Sequence, residues 1–130
     1  MQKIKAYLID VYQNCAGTVE IEPTLKNYYQ LLKCSLVEMP TRAIGDRDHV
    51  YTIICDEEGT FRNDAKISAI DDLGNVQLVG NLLIVANDPD AETERGLTDN
   101  DIQWIEENVK KTATVMHRDG YMMLHNCMYI

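Results

Sequence analysis

Basic side chains are scarce in this chain: 12 Lys and Arg stand against 21 Asp and Glu, for a formal net charge of −9. Nucleic acid is held through its phosphates by a basic footprint, so this balance disfavours general nucleic-acid binding. It does not disfavour a small anionic ligand. A few Arg and Lys gathered in one pocket bind phosphate through local geometry and field, whatever the overall sign. The same acidity also fits an ordinary solvated surface or, more specifically, mimicry of DNA.

Long apolar runs are missing as well. No stretch reaches the roughly 18 apolar residues of a membrane span. The opening MQKIKAYLID is interrupted by Asp10 and lacks a small-residue cleavage site, so it does not read as a signal peptide. A soluble cytoplasmic protein is the expectation. The four cysteines, Cys15, Cys34, Cys55 and Cys127, are scattered without a CxxC pair, which indicates neither a disulfide framework nor a structural zinc site. Cys34 and Cys55 lie in apolar contexts and read as buried thiols. His125 and Cys127 alone are close together, and an HxC pair is a weak ligand signal, so no metal and no cofactor are expected. GxSxG, P-loop, HExxH and dinucleotide fingerprints are all absent. Asp56, Glu57 and Glu58 at a turn read as solvated carboxylates, and His49 and His117 as surface or boundary histidines. A non-enzymatic protein is expected.

What the chain does have is a pair of β-branched, apolar runs, Val50–Cys55 and Val76–Ala86, around a polar, turn-rich connection. Both runs read as central strands buried on at least one face. The connection carries Asp56–Gly59 and then Arg62-Asn63, polar residues on a rigid support, a common place for binding groups.

In chain order, Lys3–Asp10 alternates as a first strand, Gln13–Gly17 breaks it, and Thr18–Glu22 returns antiparallel until Pro23. Thr24 caps a helix in which Leu25, Tyr28, Tyr29, Leu31 and Leu32 recur at helical spacing, one of the two tyrosines pointing away from the centre of the stripe. Leu36 to Ile44 reads as a third strand, with Pro40 marking an edge or a bulge. Phe61 is expected to anchor the loop after the acidic turn, and Ala65–Ile70 is either a strand or a helical turn. Val76–Ala86 reads as one strand with Gly80-Asn81 marking a bulge or a close approach to the backbone. Thr98 and Asp101 cap a helix carrying Ile102, Ile105 and Val109. Thr112–His117 and Tyr121–Ile130 read as a last hairpin, either core or an oligomer contact. The expected whole is a single α+β domain over residues 1–130, a mostly antiparallel sheet of about five to seven strands packed by two helices. Residues 112–130 would form a hairpin extension of a core over 1–111.

The segments KIKAYLIDV, YYQLLKCSLVEMPTRAIG, CDEEGTFRNDAKISAI, LVGNLLIV and LTDNDI carry a resemblance. Over about residues 3–110 the chain resembles the domain of unknown function 3846 family, small proteins frequent in phages and other mobile elements. The resemblance implies a compact α+β protein in a mobile-element setting, in the host cytoplasm if phage-encoded, and carries no activity with it.

Two functions of different class follow. In the first, a phage or mobile-element protein acts in counter-defence by sequestering a nucleotide-type immune signal. Arg42, Arg47, Arg62 and Lys66 flank the central strands and would contact phosphates, while Tyr51, Asn63, Asn81 or Trp104 would read or stack a base. The plainer reading of these arginines is that they neutralise nearby carboxylates. In the second, an acidic inhibitor, as a DNA mimic or through its Met- and Tyr-rich tail, docks on a host protein. An enclosed pocket with converging Arg and Asn marks the first, and a broad open patch the second.

Overall fold

The computed structural model describes residues 2–130. Its strands and helices run β1 (Ile4–Asp10), β2 (Cys15–Ile21), α1 (Leu25–Leu32), β3 (Val37–Glu38), β4 (Thr41–Ile44), β5 (Val50–Asp56), β6 (Ile67–Ile70), β7 (Val76–Val79), β8 (Leu82–Ala86), α2 (Asp99–Glu107), β9 (Val109–Thr112), β10 (Tyr121–Leu124) and β11 (Cys127–Met128). Seven strands form one sheet in the order β11-β4-β5-β8-β1-β2, with β3 also on β5. Four form a second sheet, β7-β6-β10-β9. All pairings are antiparallel except β6 with β10. The α+β class and the mostly antiparallel sheet are as the sequence implies. The second sheet is the addition.

Strand periodicity explains the layering. Along β1, β5 and β8, successive side chains face opposite sides. Tyr7, Ile9, Ile53, Cys55, Leu82 and Ile84 join a core with Ala69, Leu78, Ile105, Met123 and Leu124 from the second sheet and α2. Their neighbours Ala6, Ile54, Leu83 and Val85 join Tyr28 and Leu32 of α1 in a separate core. The large sheet is therefore covered on both faces, and its central strands are apolar at nearly every position. β5 and β8 pair in the middle of it, as their runs predict.

Local chemistry sets the element ends. Thr24 Oγ1 accepts from the Asn27 amide, and Lys33, in the left-handed region at φ 54°, closes α1. Thr98 and Asp101 form a capping box that starts α2. Asp10 Oδ1 accepts from the amides of Tyr12 and Gln13 and shapes the β1–β2 turn. β2 consequently begins at Cys15, inside the segment expected to break it.

Pro40 separates β3 from β4, yet both pair with β5 in one register, Glu38 opposite Cys55 and Thr41 opposite Thr52. The proline sits at an edge without a bulge, because β11 covers only Ala43 and Ile44. Phe61 anchors nothing; it is 84% exposed. Ala65–Ile70 resolves in favour of a strand. α2 stops at Glu107, and Val109 begins β9 instead of ending the apolar stripe. β-branched Val109 and Thr112 flank two lysines there, a composition that suits a strand next to β10. The first arm of the last hairpin is thus Val109–Thr112 and not Thr112–His117. Residues 112–130 are woven into both sheets, with β10 between β6 and β9 and β11 at the edge of the large sheet.

The run Val76–Ala86 is two strands in different sheets. Gly80, at φ +84°, turns the chain from β7 into β8. A Cβ built on Gly80 meets nothing within 4 Å, so the backbone angle and not a close approach requires glycine here. Gly80→Ala should destabilise the protein by about 1–2 kcal/mol, and Gly80→Asn by less, because Asn tolerates the left-handed region. Urea titration of the two variants checks this; equal losses would point to packing.

Candidate functional site

The eight residues singled out from the sequence fall into separate places. Arg42, on β4, lays its guanidinium 4.1 Å from the centroid of the Tyr129 ring, and Arg47 donates to the Tyr129 carbonyl oxygen at 3.0 Å. These two arginines hold the C-terminal segment. Tyr51 is buried on β5, its hydroxyl donating to Asp101 Oδ1 at 3.0 Å. Burial, and then that carboxylate, push the Tyr51 hydroxyl well above its ordinary pKa. Trp104 is half-buried on α2; its Nε1 donates to the Ile44 carbonyl at 2.8 Å and its ring stacks on His49 at 3.9 Å. Asn81 is buried between β7 and β8, and its Oδ1 accepts from the Val11 amide at 2.9 Å. Neither Tyr51 nor Asn81 presents a surface to a ligand in this arrangement.

Arg62, Asn63 and Lys66 do stay together, on the stretch between the 3₁₀ turn Gly59–Phe61 and β6. Asn63 is exposed. Arg62 meets Asp64 at 3.2 Å and Asp56 at 3.4 Å, and its guanidinium lies 5.6 Å from the centroid of the Tyr12 ring. Lys66 Nζ lies 5.8 Å from the Tyr12 centroid and 5.2 Å from that of Tyr121. Tyr12 therefore has two cations near its ring.

Lys66 also lines a groove of about 310 Å³ between the β1–β2 turn and the 113–120 loop. Tyr12, Asn14, His117, Arg118 and Tyr121 line it too. The floor is held firmly: Tyr121 donates its hydroxyl proton to the Ile67 carbonyl at 2.8 Å, and the Met122 amide donates to Asn14 Oδ1 at 2.9 Å. His117 sits edge-on to Tyr121 at 5.5 Å. Burial raises the hydroxyl pKa of both Tyr12 and Tyr121, so each is a neutral phenol near neutral pH. Among the described residues no carboxylate lies within ion-pairing distance of Lys66 or Arg118. Asp119 is the one acidic residue in the lining.

Two other grooves differ in charge. One of about 560 Å³, lined by Lys33, Cys34, Asp56, Glu58, Phe61 and Arg62, has its arginine committed to carboxylates. Another of about 750 Å³ borders Asp90, Glu92 and Glu94, and its Arg95 is paired with Asp88. Cys34 is half-buried, and desolvation raises its thiol pKa; the buried Cys127 thiol is pushed up to about 12 by the same cause. Both are poor nucleophiles. His125 Nε2 contacts Thr112 Oγ1 at 2.6 Å, and among the described residues no three His, Cys, Asp or Glu converge as metal ligands.

Tyr12, Asn14, His117, Arg118 and Tyr121 escape sequence reasoning because they lie about a hundred positions apart along the chain and meet only when β10 is inserted beside β6. A His-Arg pair in the 113–120 loop was the one local signal. Asn81 shows the reverse case, a polar residue whose partner is the backbone. Asn81→Ala should cost about 1–3 kcal/mol in urea unfolding, since the buried Val11 amide loses its acceptor. Weaker ligand retention at unchanged stability would instead give Asn81 a binding role.

No curated protein and no solved structure matches the chain. The family model described as a domain of unknown function matches residues 4–110, up to the start of β9, and leaves β10 and β11 outside. The chain belongs to the domain of unknown function 3846 family.

Proposed function

We propose that this protein is a non-enzymatic binder of a small nucleotide-type anion, held in the groove between the β1–β2 turn and the 113–120 loop. The observation that carries this reading is that Lys66, beside the rings of Tyr12 and Tyr121, and Arg118, in the same lining, have no carboxylate partner among the described residues, in a chain of net charge −9. A phosphate would take the two cations through charge-assisted bonds, and a base would lie against the half-buried Tyr12 ring, since Tyr121 is buried. Asn14 keeps its amide NH2 group available, since its oxygen alone is used, accepting from the Met122 amide of β10. A protein that retains such a ligand without converting it lowers its free concentration. Encoded by a phage or mobile element, it would blunt a nucleotide-type immune signal in the host cytoplasm.

A second reading, docking on a host protein, is favoured by one observation: Val115 and Met116, at the tip of the 113–120 loop, are 91% and 84% exposed. Isolated exposed apolar residues are common, but an adjacent pair on a loop is a natural contact.

Native mass spectrometry after incubation with a mixture of mono-, di- and cyclic nucleotides tests the first reading. The wild-type protein should retain a nucleotide mass, and Lys66→Ala or Arg118→Ala should weaken retention about ten- to a hundredfold, the loss of one charged hydrogen bond each. Arg47→Ala, on the Tyr129 side, should retain it fully. Retention unchanged in both groove variants would sink the assignment. No retention by the wild type, together with capture of a host protein that is lost in Val115→Asp, would establish the second reading instead.

A further inference from the structure

The edges of the two sheets differ in a way that points to a partner. Natural sheets blunt their edges with short strands, lysines, prolines or bulges, because an unpaired row of amides and carbonyls recruits another strand. Four edge strands here follow that rule. β11 has two residues. β9 carries exposed Lys110 and Lys111, and β7 pairs with β6 through an irregular register. β3, beside Pro40, is also two residues long.

β2 is different. It runs seven residues, Cys15–Ile21, all in regular register with β1, and contains no Lys, Arg or Pro. Among the described residues no strand pairs with its outer side. Its single charge, Glu20, stands opposite Lys5 of β1, whose pKa it helps to raise. Beside the strand runs a groove of about 560 Å³ against α1, lined in part by Val19, Ile21 and Leu31. These apolar side chains are only partly buried by the chain itself.

We infer that β2 pairs antiparallel with β2 of a second copy, about a two-fold axis through Thr18, and joins the two large sheets into one. Self-pairing about that residue sets Thr18 against Thr18, Gly17 against Val19, Ala16 against Glu20 and Cys15 against Ile21. Cross-strand threonines are a favourable pair, and no charge meets a like charge directly across the axis. Gly17, with nothing within 4 Å of a Cβ built on it, leaves room for the opposing valine. Val19 and Ile21 of both copies then complete their burial over the α1 face. The interface is isologous, so pairing closes at two copies and does not continue as a fibre. The paired residues, Cys15–Ile21, are not among those that line the candidate ligand groove, so the dimer is tested apart from ligand binding.

Light scattering on the eluting full-length protein tests the inference. The expected mass is twice the 14.8 kDa of the chain. Thr18→Lys, at an exposed side chain, should give the single-chain mass with an unchanged circular dichroism spectrum, because two lysines would meet on the axis. Thr18→Cys in a Cys15→Ser background should form a disulfide-linked dimer on mild oxidation. Directly opposed Cα atoms lie about 4.5–5.5 Å apart, inside the window a disulfide spans. A single-chain mass for the wild type up to millimolar concentration would overturn the inference. So would a dimer that survives Thr18→Lys and that Thr18→Cys fails to cross-link, which would place the contact at Val115 and Met116 or elsewhere.

Discussion

The burial of both faces of β1, β5 and β8 is the constraint on which the rest of this structure depends. Three adjacent strands of apolar residues cannot leave either face to water, and each face is met by a different part of the chain. α1 covers one through Tyr28 and Leu32; the second sheet and α2 cover the other through Met123, Leu124 and Ile105. The short connections and the turn at Gly80 are consequences of that demand. A strand leaving the second sheet must enter the first within one residue or two, and a left-handed backbone angle achieves it.

This constraint also explains what could be read in advance. The runs Val50–Cys55 and Val76–Ala86 were legible as central strands because continuous apolar β-branched sequence has few other uses, and of the second run Leu82–Ala86 is the part that takes that place. Both helix starts were legible as well, since Thr24 and Thr98 cap through bonds made within three residues. What escaped was non-local. Leu78 and Leu82 look alike in sequence, yet belong to different sheets, and nothing in the apolar pattern distinguishes a crossover from a bulge at Gly80. Val109 fits a helical stripe by spacing, and only the presence of β10 alongside makes it a strand residue. The candidate groove was hidden for the same reason: of its residues only Lys66 lay on the stretch the sequence marked, and its other walls come from the two ends of the chain.

The charged residues divide by whether they are already occupied. Arg42, Arg47 and Arg62 are engaged with an aromatic ring, a backbone carbonyl and carboxylates, the ordinary use of arginine as a structural tie. Among the described residues Lys66 and Arg118 have no carboxylate partner, and Lys66 lies beside two neutral phenols. In a strongly acidic protein such a spot is a local reversal of field, and its reach into solvent is limited to about one Debye length. A ligand would therefore be drawn in at short range by fit and contact, with little long-range steering.

The insertion of β10 between β6 and β9 has a consequence for synthesis. Most of the large sheet can pair as soon as β8 leaves the ribosome, because β1, β2, β4 and β5 precede it. The second sheet cannot be completed then, since β10, which joins β6 to β9, is residues 121–124. Until those emerge, Leu78, Leu82 and Ile84 have no full cover, and the nascent chain carries an open apolar face. Until β10 is in place, that face is available to chaperones or to neighbouring chains.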